Sequence, residues 1–269
     1  MSIVSISRGC DSRGEAVARE VAEQLGYACL SKDIVLDASE IFHIAEPKLF
    51  RALHDAPSLM ERFTREKEPC VAYVRAALLK FLQEDDVVYH GLAGHFFIRD
   101  LPHVLKVRII ADLEDRIRLE MERNRVSREV AGKAIAQDDT QRRKWSRYMF
   151  GIDTADPSLY DLVIHIQDIS ISDAASIICH TVRMPRFQTT QQGLKAIRDL
   201  ALAAEIQATL RHMLPTVHAT ADNGKVVVTV KLGEIDTESV IREINQSVAV
   251  VKGVRSVEVK TEPLIVFSE

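Results

Sequence analysis

The first turn of the chain constrains its fold more than any other stretch. The apolar run Ile3-Val4-Ser5-Ile6 feeds Ser7-Arg8 and then Gly9-Cys10-Asp11-Ser12-Arg13-Gly14, and the loop opens straight into a segment whose apolar positions Val17, Val21, Ala22 and Leu25 recur at helical spacing. A strand, a tight loop bounded by glycines and a helix form the layout of a phosphate-binding loop. Glycines let the backbone wrap closely around an anion, and the amides at the helix N-terminus, reinforced by the helix dipole, attract its oxygens. Gly9 and Gly14 stand at the spacing of such a loop, but the Lys and the Ser or Thr expected next are Glu15 and Ala16. The loop keeps its shape and loses an ammonium for the β- and γ-phosphates and a hydroxyl for Mg²⁺.

Downstream, Gly26 supplies a helix stop, and Cys29-Leu30-Ser31-Lys32-Asp33 leads into a second helical stretch, Ile34 to Phe42. Asp33, just past a second short strand, is placed either to hold a substrate hydroxyl or amine or to cap that helix. From Pro47 to Gln83 the pattern is helical, with breaks expected at Pro57 and Pro69. Val87-Val88-Tyr89-His90 reads as a core strand, and the second glycine turn after it, Gly91-Leu92-Ala93-Gly94-His95, would lie beside the first loop in a parallel sheet. His90 and His95 flank this turn; nothing supplies further ligands at useful spacing, so they are read as structural or solvent-facing and no metal site is assigned. Val104 to Ala111 is a third strand and Asp112 to Arg123 a charged helix. The helix opened by Ser127 runs through Arg142, Arg143 and Arg147 to Phe150-Gly151, and its clustered cations suit either an arm closing over polyphosphate or a solvated face with local Asp to Arg pairs. Tyr160 to Ile166 adds a strand and Ser172 to Arg183 a helix, so the rhythm argues for an α/β sheet with helices on both faces.

Charge narrows the choice of partners. Net charge is −4 and no block of like charge is long enough for a nucleic-acid tail, so nucleic acid is not an expected partner. No run approaches the length of a membrane span and no leader-like segment opens the sequence, which makes the cytoplasm the expected location. Cys10, Cys29, Cys70 and Cys179 show no paired metal-ligand spacing, in keeping with a reducing compartment.

Ile6-Ser7-Arg8 before the loop, Asp33, the Gly91 turn, Leu113-Glu114-Asp115-Arg116, Ser127-Arg128-Glu129, Asp139 to Arg142, and Asp156-Pro157 with Tyr160-Asp161-Leu162-Val163-Ile164 follow one another between residue 1 and about residue 183. In this combination the stretch resembles the cytidylate kinase-like family of P-loop nucleoside monophosphate kinases. The resemblance implies a doubly wound parallel sheet of the P-loop kinase type. It also implies an ATP and Mg²⁺ site at Arg8, Gly9, Ser12, Arg13 and Gly14, a monophosphate site near Asp33 and Gly91, and a lid carrying Arg142. The reaction implied is transfer of the ATP γ-phosphoryl group to a nucleoside monophosphate such as CMP. Two departures strike that chemistry: the basic residue that follows the family's glycine-rich loop is Glu15 here, and the Arg that would hold the acceptor phosphate after Gly91 is Leu92. Phosphoryl transfer rests on positioning and charge neutralisation. The expectation is therefore a nucleotide-binding protein with a degenerate loop, a weak or inactive kinase serving as sensor or regulatory module. An active CMP-type kinase and a scaffold with an empty pocket are the alternatives. If catalysis survives, Arg13 and the loop amides would hold the donor phosphates, Arg142 would stabilise the transferred charge, and Asp33 would position the acceptor.

The first domain is read as residues 1–185, and 186–193 read as a polar linker. Beyond it, residues 194–269 read as a small α+β unit: a helix from Leu194 to Met213, a hairpin turning at Asn223-Gly224, a helix from Thr237 capped by that residue, and a strand from Gly253 to Lys260. This order and the phrase Val251-Lys252-Gly253-Val254-Arg255-Ser256-Val257 resemble a BON domain. That likeness implies a protein partner or self-association; no lipid-directed feature is present, so membrane contact is not expected.

Overall fold

The computed structural model describes residues 2–10, 12–31, 33–55, 67–91, 94–99, 101–214, 216–232 and 237–263. In chain order its elements are β1 (Ile3–Arg8), α1 (Gly14–Leu25), β2 (Ala28–Leu30), α2 (Asp33–Phe42), α3 (Glu46–His54), α4 (Lys67–Leu82), β3 (Val87–His90), α5 (Gly94–Phe97), β4 (Val104–Ala111), α6 (Leu113–Asn124), α7 (Arg128–Phe150), β5 (Leu162–Ile166), α8 (Ile171–Val182), α9 (Gln191–Leu210), β6 (His218–Asp222), β7 (Lys225–Leu232), α10 (Thr237–Ala249) and β8 (Ser256–Pro263). No helix among the described residues is long and apolar enough to cross a membrane.

β1 to β5 form one sheet in the order β2-β3-β1-β4-β5, parallel throughout, with β1 at its centre. Strands buried on both faces must be apolar on both, and Ile3, Val4, Ile6, Leu105, Val107 and Ile109 are at most 1% exposed. Pairing of Ile3 with Val87 and Val104 places the odd residues of β1 on one face, under α2, α3, α4 and α9. Val4, Ile6, Val88, Leu105 and Val107 lie on the other face, packed on α1 and α8. Towards the carboxyl ends of the strands the first face turns polar, because Ser7 pairs with Arg108 there. The strand order leaves the loop after β1 and the turn after β3 side by side, and the Gly91 amide donates to the Ile6 carbonyl at 3.4 Å.

Two local expectations are corrected. Pro69 lies in the first turn of α4 and does not break it, since amides there have no partner within the helix and a proline loses nothing by lacking one. Thr237 is the first residue of α10, not its cap. The cap of α8 is Ser170, whose hydroxyl accepts from the Asp173 amide while the Asp173 carboxylate accepts from the Ser170 amide. Pro57 lies outside the described residues.

β6, β7 and β8 make a separate sheet in which β6 and β7 are antiparallel and β7 and β8 parallel. The β6–β7 hairpin turns on Asn223 and Gly224 at φ 49° and 80°. Glycine is needed at 224 twice over, because a Cβ there would also stand 2.6 Å from the Gly253 carbonyl oxygen. α9 packs in two directions. Ile197, Ala201, Ala204 and Ala208 join the core that holds α4, while Ile206 and Leu210 join Val226, Val228, Val230, Ile244 and Val248 under the second sheet. Phe187, in the stretch ahead of α9, is buried against the core of α1 and α8.

Candidate active site

The loop after β1 closes on itself. Arg13, in the left-handed conformation at φ 60°, precedes α1 and offers no side-chain cap to its amides. The Ser12 hydroxyl, 1% exposed, donates to the Gly9 carbonyl at 3.0 Å. Gly14 begins α1 where a Cβ would stand 2.6 Å from the Arg8 Cβ, so the absence of a side chain there lets Arg8 lie over the helix start. Glu15, at the place a loop lysine would take, accepts from Arg19 at 3.0 Å and lies 3.7 Å from the Arg8 guanidinium. The Arg19 hydrogen bond and the charge of Arg8 hold its carboxyl below the usual range against the opposing effect of partial burial. The acid at the lysine position is thus neutralised by a cation from the end of β1.

Above the loop is a cavity of about 180 Å³ lined by Ser7, Arg8, Gly9, Ser12, Gly91, His95, Arg108, Arg116, Asp139, Arg142 and Arg143 among others. Two arginines of the helical arm made by α6 and α7 reach the loop backbone. Arg116 donates to the Cys10 carbonyl at 2.7 Å and forms a two-pronged pair with Asp139 at 2.8 and 2.9 Å. Arg142 donates to the Arg8 carbonyl at 2.9 Å and to Asp138 at 2.6 Å. Burial lowers the Arg116 pKa, and the Asp139 bonds override it and raise it. The Arg116 guanidinium lies 3.6 Å from where a Gly9 Cβ would be, and the cavity is smaller than the roughly 300 Å³ at which ligand pockets begin. Arg116 thus lies over the loop backbone at Gly9 and Cys10.

At the inner end Tyr160 ties the sheet to the second turn: its hydroxyl is 3.3 Å from Ser7 Oγ, 3.4 Å from His95 Nε2 and 3.0 Å from the Thr154 carbonyl oxygen. Arg108 donates through Nη1 to the Thr154 carbonyl and, at 3.2 Å, to the Tyr160 hydroxyl. Burial, and then the charge of Arg108, push the His95 pKa down to about 3. Burial and Arg8 push His90, at the end of β3, down to about 4. Both imidazoles are neutral near pH 7.

Of the residues singled out in the sequence, Arg8, Gly9, Ser12, Gly91 and Arg142 line this cavity. Arg13 and Gly14 instead line, with Glu15 and Arg19, a more open groove that α6 borders through Leu119, Glu122 and Arg123. Asp33 is exposed in the first turn of α2 and lines neither. The sequence does not single out Arg108 or Thr154; it names Arg143 only among the clustered cations of its helix, His95 only beside the second turn, and Arg116, Asp139 and Tyr160 only within the motifs. A visible signal was Lys106 and Arg108 set two apart in an apolar run, because charges at alternate positions of a central strand need a reason.

A sequence model of the cytidylate kinase-like family matches residues 3–168. No curated protein matches the sequence. Among solved structures, an uncharacterized protein from Eubacterium ventriosum is similar to this chain with TM-score 0.53 and 18% identity, over 68% of this chain and 99% of that one. Shikimate kinase from Acinetobacter baumannii in complex with shikimate gives TM-score 0.41 and 14% identity, over 70% of this chain and 96% of its own. The family match runs from the first strand through the loop, the second turn and the arm to β5, and on that match this chain belongs to the cytidylate kinase-like family.

Proposed function

We propose that the chain binds a nucleoside triphosphate at the Gly9–Gly14 loop, with arginines in place of the loop lysine, and that phosphoryl transfer there is slow enough for the nucleotide to act as a signal. The observation that carries this reading is the meeting of Arg8, from β1, with Arg116 and Arg142, from the arm, around one glycine loop at the carboxyl edge of a parallel sheet. Helix N-terminal amides and converging guanidinium groups are what a polyphosphate requires. The paired Glu15 and the small cavity both oppose a donor aligned for reaction, which supports slow turnover.

Arg116 would move to the phosphates as it leaves Asp139, and Arg142 would bridge the loop to the transferred group. Magnesium finds no seat built by the protein: Ala16 stands at the hydroxyl position, and the described residues hold no group of three or more metal-ligating His, Cys, Asp or Glu side chains. The ion would arrive with the nucleotide. The division proposed is a nucleotide-binding unit of residues 1–185, a joint at 186–193 and a docking or self-association unit of 194–269, whose BON-like role rests on element order and the phrase from Val251 to Val257.

Calorimetric titration with ATP-Mg²⁺, with and without CMP, tests the reading alongside coupled detection of ADP. Saturable ATP binding is expected, with CMP-dependent ADP formation no faster than in Arg142→Ala. A flat titration removes the reading. Rapid CMP-dependent turnover lost in Arg142→Ala replaces it with an active kinase.

A further inference from the structure

Five arginines line the cavity, and four of them, Arg8, Arg116, Arg142 and Arg143, have a carboxylate within 4.0 Å. Arg108 has none among the described residues. It lies in β4, between β1 and β5, half-buried, and donates from Nη1 to one carbonyl and one hydroxyl. Beside it His95 is 5% exposed and its Nδ1 has no hydrogen-bond partner among the described residues. A buried, unmatched ring nitrogen and a half-buried cation without a carboxylate partner, both lining one cavity, point to a ligand that is anionic and rich in oxygen.

We propose that Arg108, His95, Tyr160 and Ser7 form an oxyanion subsite for the phosphate of the acceptor, with β4 supplying the cation that Leu92 does not. The inference rests on the nucleotide reading for the identity of the acceptor. The guanidinium presents a fork to two phosphate oxygens. In the tautomer with its hydrogen on Nδ1, the neutral His95 donates that hydrogen to the anion, and the Tyr160 hydroxyl turns its own hydrogen from the Thr154 carbonyl to Nε2. The Ser7 hydroxyl completes the set from β1. Placement separates this subsite from the donor site. Ser7 and Arg108 pair across β1 and β4 on the sheet face away from α1, whereas Arg8 lies over the start of α1 beside Glu15. Two phosphate groups would therefore meet across the carboxyl end of β1, one held from each face.

The test uses the full-length chain, ¹⁵N-labelled at histidine, titrated separately with CMP, inorganic phosphate and ATP-Mg²⁺. CMP and phosphate are expected to shift the His95 ring signals, CMP binding the tighter of the two. Arg108→Gln is expected to weaken CMP at least tenfold and to change ATP-Mg²⁺ affinity less than twofold, with Arg108→Lys between Gln and the native chain. Should Arg108→Gln not fold, Tyr160→Phe serves in its place, with a threefold or greater loss for CMP alone. Unmoved His95 signals with both CMP and phosphate, or equal losses for CMP and ATP, overturn the subsite. Equal affinity for CMP and phosphate overturns its assignment to the acceptor. If ATP-Mg²⁺ does not bind while phosphate still shifts His95 in an Arg108-dependent way, the nucleotide reading falls and the oxyanion subsite stands.

Discussion

Glu15 and the buried histidines set the charge of the site residue by residue. The Glu15 carboxylate is half exposed and shared between Arg8 and Arg19, so its ion pairs contribute little to stability, about 0.3–0.5 kcal/mol for the i,i+4 pair. Its larger effect is on the ligand. Glu15→Lys changes the local charge by two units, which at roughly 7 Å from a phosphate with water-like screening amounts to about 1.2 kcal/mol, or roughly eightfold in affinity. ATP titration of this variant is expected to show tightening of that order with the unfolding midpoint nearly unchanged; no tightening would mean that the loop does not face a phosphate. The histidines act through protons. His90 at about 4 and His95 at about 3 lie below the value of about 6.5 for an unfolded chain, so on acidification the unfolded state takes up protons that the folded state refuses. Their contribution is complete above pH 6.5 and falls as the pH drops from there towards 4 and 3. The slope for each is about 1.4 kcal/mol per pH unit, roughly 2 kcal/mol by pH 5. Urea unfolding at pH 7.5, 6 and 5 should show this loss, with His103, also depressed by burial, adding to it. His95→Phe should reduce the slope by about one proton, and an unchanged slope would count His95 out.

Among the elements, the α6–α7 arm is held differently from the sheet it covers. Its own core is small: Ile117, Ala131 and Ile135, with Met121 and Val126 against them. The far end of α7 is anchored by Trp145, 2% exposed, whose Nε1 donates to the Ala52 carbonyl at 2.6 Å. Between the two, Arg116 and Arg142 tie the arm to the loop through polar contacts alone. Local stability follows buried apolar contact, so amides of α6 and of the first half of α7 are expected to exchange with deuterium far faster than those of β1 and β4. ATP-Mg²⁺ should slow them, and equal protection in the free protein would refute the two-part attachment of α7. Asp139→Asn removes one charge from the Arg116 clamp, and the same measurement should find the arm exchanging faster and ATP bound more tightly. The elements themselves were legible in the sequence. Loop, strands and helices announce themselves through glycine spacing and periodicity, and the parallel order followed from their alternation. Of the cavity lining, the sequence pointed to Arg8, Gly9 and Ser12 through the loop spacing and to Gly91 and Arg142 through motif order, and not to Arg108 or Thr154. Asp139 reaches Arg116 across the arm, and Arg108 meets Tyr160 and His95 across the sheet, because packing joins positions that no local pattern links. Pro69 misled for the opposite reason, since a proline in the first turn of a helix carries the same letter as one that ends it.

At the scale of the whole molecule, α9 decides how the two sheets behave. Its small residues Ala201, Ala204 and Ala208 let it pack closely on α4, while Ile206 and Leu210 leave the same helix for the core under β6, β7 and β8. A helix shared in this way cannot unfold on one side and stay folded on the other, so the two cores are expected to melt in one transition. The chain has one tryptophan, Trp145, and it belongs to the large core and not to the core under the second sheet. That makes it a reporter of the first core only. Ile244→Ala empties a fully buried position of α10 in the second core, a change that removes about 2–5 kcal/mol. If α9 couples the cores, the Trp145 fluorescence midpoint in urea must fall by the same amount as the far-ultraviolet dichroism midpoint, although nothing near the indole has changed. A fluorescence midpoint that stays at the native value while dichroism shows an early step would mean that the cores unfold separately. The nucleotide unit would then stand without the second sheet, and ATP bound at the loop could not alter the stability of the unit that follows α9.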